Sequence, residues 1–429
     1  MTRDLTIAEI RLTPVLVADA PLLNVQGVHQ PYTPRLIVEI VTADGITGLG
    51  ETYGDTQYLE PARRLAEQLT GRSVMDVNGM FALDLGVDAA RLEAGVDAGG
   101  LRGRQSADKV RLSVLSAFEV ACLDAQGKAL GLPVHALLGG KVRDAVEYSA
   151  YLFYKWAAHP AGVAAEPDDW GAALDPAGVV AQARQLKERY GFTSFKLKGG
   201  VFPPDEEIAA VRALAEAFPG HPLRLDPNGA WSVATSLKVA EELADVLEYL
   251  EDPTLGTPAM AEVSAGTRVP LATNMCVTTF GEIQEAFTRD AVQVVLSDHH
   301  YWGGLRNTQH LAAICAAFGV GVSMHSNTHL GISLAAMTQV AATVPNLHHA
   351  CDSHYPWQSE DVLSERPVFT GGRVAVSDAP GLGVALDRDA LARLHRRWAE
   401  DDGALRERDD AAAMRAGEPG WRTPVLPRW

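Results

Sequence analysis

Residues 223–251, LRLDPNGAWSVATSLKVAEELADVLEYLE, carry one whole unit of the architecture. A short apolar run closes on Asp226, a loop and a helical stretch follow, and a second run, Leu247 to Glu251, closes on another carboxylate. The unit recurs in both directions. Lys198, Asp226, Glu251, Asn274, Asp298, His325 and His354 close successive runs at intervals of 28, 25, 23, 24, 27 and 29 residues. That interval is the length of one strand, one helix and their two loops. Chemistry placed always at the same point of the repeat is what a (β/α) barrel requires, because its active site gathers residues from the C-terminal ends of successive strands.

The runs Phe195 to Lys198, Leu223 to Asp226, Leu247 to Glu251, Val269 to Asn274, Val292 to Asp298, Val320 to His325 and Leu347 to Asp352 read as strands. Between them lie helices, such as the one with Ile208, Val211, Leu214 and Phe218 on a single face. Thr279 and Glu282 stand at capping-box spacing, and Phe318-Gly319 closes a further helix. So many alternating units favour closure into a barrel over an open parallel sheet. Upstream, residues 7 to 56 read as strands, with Leu36 to Val41 and Ile46 to Glu51 joined by the turn Ala43-Asp44-Gly45. Residues 57 to 131 read as helices, with Val110, Val114, Ala117, Ala121 and Cys122 at helical spacing. The expected division is an α+β capping domain over 1–140, an α/β barrel over 141–396 that carries the site, and a charged C-terminal segment over 397–429 that returns to the cap.

A chain of 429 residues, 47% hydrophobic and 21% charged, can bury a large core. Its formal charge of -17 argues against nucleic acid, which needs basic patches, but not against an acidic substrate held by local cations. The N-terminus MTRDLTIAEI has charges early and no apolar core of signal-peptide length, and no later stretch reaches the length of a membrane span, so a soluble cytoplasmic protein is expected. Cys122, Cys276, Cys315 and Cys351 are scattered without CxxC spacing, which predicts reduced buried thiols.

Lys196 and Lys198 lie two apart on one strand, so both ammonium groups point to the same side and are expected to depress each other's pKa, making one a neutral base. Asp226, Glu251 and Asn274 offer three oxygen ligands from consecutive strand ends, a set suited to Mg²⁺. Asp298 and His325 close adjacent strands, where a carboxylate fixes the imidazole's tautomer for acid or base work. Taken singly, each motif has an ordinary reading as surface lysines, a helix cap or a core histidine. Their succession at barrel spacing favours a site that removes a proton from carbon beside a carboxylate, with the metal and a lysine absorbing the charge. Of the neighbouring His299 and His300, only some can face that site.

FKLKGG, LDPNGAW, EDP, ATNM, SDHHYWGG, MHSNTH and CDSHYPWQ, in that order, with DAQGKALGLPVHALLGG before them and RERDDAAAMRAGEPGW after, resemble the enolase superfamily and within it the glucarate dehydratase subgroup. The resemblance implies a modified (β/α)7β barrel with a cap built from the N-terminal region and the C-terminal tail. It implies Mg²⁺ on Asp226, Glu251 and Asn274. Lys198 and His325, the latter paired with Asp298, are implied as bases on opposite faces of the substrate, with Lys196 on the substrate carboxylate. Substrate contacts are implied at Asn24, His29, Tyr151, Ser326, Asn327, His354 and Arg408. The implied reaction is dehydration of D-glucarate to 5-dehydro-4-deoxy-D-glucarate. Racemisation or epimerisation of an acid sugar, or diacid binding without catalysis, stand as alternatives. The expected partners are a small dicarboxylate sugar acid and further copies of the chain, with neither nucleic acid nor membrane. Two places depart from the subgroup's pattern: Thr328, where a second asparagine is usual, and the loop near 90–108.

Overall fold

A computed structural model describes residues 3–88, 104–160, 163 and 165–429. Most of the divergent loop near 90–108 lies outside them. The N-terminal strands β1 (Ile7–Ala18), β2 (Tyr32–Thr42) and β3 (Thr47–Tyr53) form an antiparallel sheet in that order. The predicted turn joins β2 to β3. Gly45 N–H donates to Thr42 O at 2.8 Å, and Gly45 has a φ of 78°, a conformation that side chains rarely adopt. Helices α1 (Thr56–Leu69) and α2 (Arg104–Leu130) cover the sheet. The approach of α2 is close because β3 carries glycine: a Cβ at Gly48 or Gly50 would lie 2.0 Å from the carbonyl oxygen of Ala121 or Ala117.

The chain then alternates between strand and helix. The elements are β4 (Ala145–Phe153), α3 (Pro176–Tyr190), β5 (Phe195–Lys198), α4 (Pro204–Ala217), β6 (Leu223–Asp226), α5 (Val233–Glu242), β7 (Leu247–Glu251) and α6 (Thr257–Gly266). They continue with β8 (Leu271–Thr273), α7 (Phe280–Thr288), β9 (Val294–Leu296), α8 (Leu305–Phe318), β10 (Gly321–Ser323), α9 (Gly331–Ala341) and β11 (Cys351–Ser353). Strands β4 to β10 pair in parallel with their neighbours in sequence order. β11 pairs in parallel with β4, and Asp352 N–H donates to Met324 O, just beyond β10, at 2.8 Å. Eight strands therefore close, with a helix after each of the first seven. Tyr249, Ala272, Val294 and Leu296 form a small buried cluster of their own. They follow the period-two alternation that points every second residue inward, away from the helix-facing core.

Several strands are shorter than the apolar runs suggest, because a polar side chain ends the ladder. Thr273 Oγ1 accepts from Met275 and Cys276 N–H at 3.0 and 2.9 Å, and Asp298 Oδ1 accepts from His300 N–H at 3.0 Å. These turns lift the following side chains over the barrel mouth. The capping box of Thr279 and Glu282 is present, and Gly319 closes α8 in the left-handed region at φ 71°.

The C-terminal segment departs from expectation at both ends. α10 (Arg388–Glu400) already packs on β1, with His395 Nδ1 2.7 Å from Pro14 O and Arg388 paired to buried Glu39 at 2.6 Å, so the return to the cap starts before residue 397. α11 (Asp410–Gly417) follows against the turn at residues 23–28, but the chain does not end there. Arg428 N–H donates to Ala230 O at 2.7 Å, which ties the last residues to a barrel loop. All four cysteines are free and buried, and no helix among the described residues is long and apolar enough to cross a membrane.

Candidate active site

β5, β6 and β7 bring Lys196, Lys198, Asp226 and Glu251 together at the barrel mouth. Lys198 Nζ donates to Asp226 Oδ2 at 2.7 Å and to Asn228 Oδ1 at 2.8 Å. Lys196 Nζ lies 2.6 Å from Glu251 Oε2, 2.7 Å from Asp352 Oδ2 and 3.4 Å from Asp226 Oδ2. Asn274 Nδ2 donates to Glu251 Oε1 at 2.5 Å. The three expected metal ligands thus form one continuous group.

The lysine pair does not behave as its spacing suggests. Burial and mutual repulsion push ammonium groups down, but the carboxylates around these two prevail and hold both lysines above the usual range. For Lys196 these are chiefly Asp352 and Glu251, and for Lys198 Asp226. Lys196 is also fully buried among Asp226, Glu251 and Asp352 and does not line the cavity described below.

The carboxylates divide in the opposite way. Burial works against Asp226, yet Lys198 and Lys196 hold it at about 2, whereas burial and repulsion from Asp226 push Glu251 well up. Glu251 Oε2 is buried and accepts no hydrogen bond, its ion pair with Lys196 being out of line for one. Two crowded carboxylates with an unsatisfied oxygen, beside a side-chain amide, fit a hard divalent cation. Asp226, Glu251 and Asn274 could hold it.

Above this floor an open cavity is lined by Asn24, His29, Tyr151, Lys198, Asn274, His325, Ser326, Asn327, His354 and Arg408, all singled out in the sequence, and by Gln26, Phe153, Asn228 and Tyr301. His325 Nδ1 is 3.0 Å from Asp298 Oδ2. Burial pushes this imidazole below its ordinary value despite the carboxylate, so it rests neutral. Asp298, Asp226 and Glu251 lie beneath the surface with no exposure.

The far end is built by the cap and the tail. Arg408 Nη2 is 2.9 Å from His29 Nε2, and Arg408 Nη1 donates to Asn327 Oδ1 at 3.3 Å. Asp410 holds both Arg408, at 3.0 Å, and Asn24 Nδ2, at 2.7 Å. Asp19 Oδ2 is 3.1 Å from His29 Nδ1, and Asp19 Oδ1 lies 3.8 Å from His354 Nε2. An arginine only donates, so His29 Nε2 accepts and its proton sits on Nδ1, toward Asp19. Burial carries His354 down to about 4.

Sequence reasoning missed several of these participants. Asp352 sits two residues before His354 in CDSHYPWQ, Asn228 lies inside LDPNGAW, and Tyr301 follows the histidines of SDHHYWGG. Each stood in a quoted motif, where one residue drew the attention. Asp19, at the end of an ordinary apolar strand, carried no such signal.

Residues 8–139 match the family model of the mandelate racemase / muconate lactonizing enzyme N-terminal domain, and residues 178–390 match the enolase C-terminal domain-like model. A probable glucarate dehydratase of Streptomyces coelicolor (strain ATCC BAA-471 / A3(2) / M145) is 80% identical over the whole of both chains. An enolase from Mycobacterium smegmatis crystallised with tartrate is 55% identical, with a TM-score of 0.90 over 99% of this chain and 98% of its own. An enolase from Pseudomonas fluorescens Pf0-1, with bound magnesium, potassium and tartrate, is 46% identical, with a TM-score of 0.93 over the full length of both. By domain content, sequence and fold, this chain belongs to the enolase superfamily.

Proposed function

We propose that the protein is a magnesium-dependent dehydratase of acid sugars, a hydro-lyase that converts D-glucarate to 5-dehydro-4-deoxy-D-glucarate. The observation that carries this reading is one cavity with two candidate bases, Lys198 and His325, from different strands, and a cationic far end at Arg408. The relatives support the class, since a probable glucarate dehydratase stands at 80% identity and D-xylonate and D-galactonate dehydratases are more distant kin. Tartrate, bound in two of the related crystals, is itself a hydroxy diacid.

One carboxylate of the sugar acid is presented to the Asp226, Glu251 and Asn274 end, and the other to Arg408, whose fork suits a carboxylate. Mg²⁺, when bound, supplies positive charge against the substrate carboxylate and against the oxygens that become negative as the α-proton leaves. Lys198 or His325, according to the configuration at C5, takes that proton. Where His325 is the base, the C5–H electrons form the C4–C5 double bond, the C4 hydroxyl leaves as water with the proton that His325 has just taken, and the enol ketonises. Asp226 has two tasks, as a ligand and as the partner of Lys198. The ammonium is released toward its neutral form when Asp226 is engaged elsewhere.

Two bases across a carbon also suffice for epimerisation without loss of water. A screen of hexarates and aldonates with Mg²⁺ separates these readings. Dehydration predicts a semicarbazide-reactive keto acid with D-glucarate fastest, epimerisation a change of optical rotation alone, and a binding protein no exchange of C5 hydrogen with solvent deuterium.

A further inference from the structure

Asp298 holds three imidazoles, of which the mechanism uses one. Its Oδ2 faces His325 Nδ1 at 3.0 Å and His329 Nε2 at 3.4 Å. Its Oδ1 lies 2.8 Å from His300 Nδ1. The other ring nitrogen of His300, Nε2, is 3.1 Å from the carbonyl oxygen of Glu51 and 3.2 Å from Ser333 Oγ. An ionised carboxylate and a peptide carbonyl can only accept, so both nitrogens of His300 face obligate acceptors, the pattern of an imidazolium.

Charge balance points the same way. Asp298 is fully buried, and a buried carboxylate needs a counter-ion. The nearby Arg35 and Glu51 already pair with each other at 2.6 Å. Burial carries His329 down to about 4 and His299 well below its ordinary value, so neither supplies the charge, and buried Tyr53, packed on the His300 ring at 5.6 Å, stays un-ionised. His325 must remain neutral to accept a proton. Besides Asp298 it is faced by Tyr301, Lys196 and Asp352.

We propose that His300 is a positioning residue that carries a proton on each ring nitrogen, neutralises Asp298 and aims its Oδ2 at His325 Nδ1, so that His325 is held as a neutral base with Nε2 left for the substrate. Because Glu51 belongs to β3, the contact also makes the orientation of a barrel base depend on the docked cap. The inference rests on the assignment of His325 as the base of one substrate face.

The test compares wild type with His300→Asn and His300→Gln, by solvent deuterium exchange at C5 of the two C5-epimeric hexarates in Mg²⁺. Exchange through His325 is expected to fall at least tenfold more than exchange through Lys198. Its acid limb is expected to move up by about one pH unit, since Asp298 then acts on His325 uncompensated. Equal losses for both epimers with an unmoved limb overturn the proposal. Wild type that exchanges neither epimer instead overturns the functional reading, and the role given to His325 with it. Neutron diffraction on deuterated wild type reads His300 directly, without any variant. Deuterons are expected on both ring nitrogens, and a single deuteron overturns the proposed charge.

Discussion

Glu51→Ala removes one carboxylate from the cap and should loosen a helix of the barrel. Glu51 Oε1 accepts from Arg35 Nη2 at 2.6 Å and from Leu330 N–H at 2.9 Å, and its Oε2 accepts from Ser333 N–H at 2.9 Å. Arg35 and Glu51 have no exposure at all. Removing one partner of such a pair leaves a buried charge uncompensated, at about 3–5 kcal/mol. The two amides at the start of α9 add about 1–3 kcal/mol each if water does not reach them. A loss of at least about 4 kcal/mol in local opening is roughly a thousandfold in exchange rate. Native-state hydrogen exchange of the Leu330 and Ser333 amides measures this without assuming that so large a protein unfolds in one step. The double variant Arg35→Met/Glu51→Leu removes both charges and should recover about 3 kcal/mol of the loss. A change below tenfold in Glu51→Ala, or a double variant no better than the single, would refute the account.

Four further outcomes are expected. Lys198→Ala should abolish exchange at C5 for one epimer while exchange through His325 survives, and equal small losses for both would remove the lysine from the role of base. Asp226→Ala should weaken Mg²⁺ binding by calorimetry at least a hundredfold, as well as activity, and an unchanged affinity would displace it from the ligand set. Thr328 is a β-branched residue at φ 49° with a buried, unpartnered hydroxyl, so Thr328→Asn should stabilise the protein by about 1 kcal/mol in thermal or urea unfolding, and a loss of stability would contradict the strain. Glu248 sits at about 2 instead of 4.5 because His349 and Arg224 outweigh its burial, so it contributes stability above pH 4.5 that is lost as pH falls toward 2. Glu248→Gln should remove that part of the acid sensitivity, read as the unfolding midpoint from pH 6 down to 2.5, and an unaltered acid profile would show that the pair contributes nothing.

The barrel was legible because its chemistry is periodic. Each strand ends on a polar residue that must face the mouth, so Lys198, Asp226, Glu251, Asn274, Asp298 and His325 mark the register of the fold and of the site together. The protonation of Lys196 was not legible, since it depends chiefly on Asp352, which arrives from β11, 156 residues further along the chain. Neither were Asp19 and Asp410, whose significance lies in the imidazoles and guanidinium they hold. Arg408 marks the boundary between the two cases: in a run of charges it looks solvated, and only the resemblance of the tail singled it out. Strand ends were overestimated wherever a side chain such as Thr273 captured the backbone of the next turn.

The wall formed by His29, Asn327 and Arg408 joins side chains from the beginning, the later middle and nearly the last part of the polypeptide. During synthesis the two bases and the acidic floor are all made before that guanidinium emerges. A ribosome-bound chain can therefore complete its cylinder and still lack the clamp for a second carboxylate. On the reading proposed above, the contact with a second carboxylate is thus the last part of the site that the nascent molecule acquires.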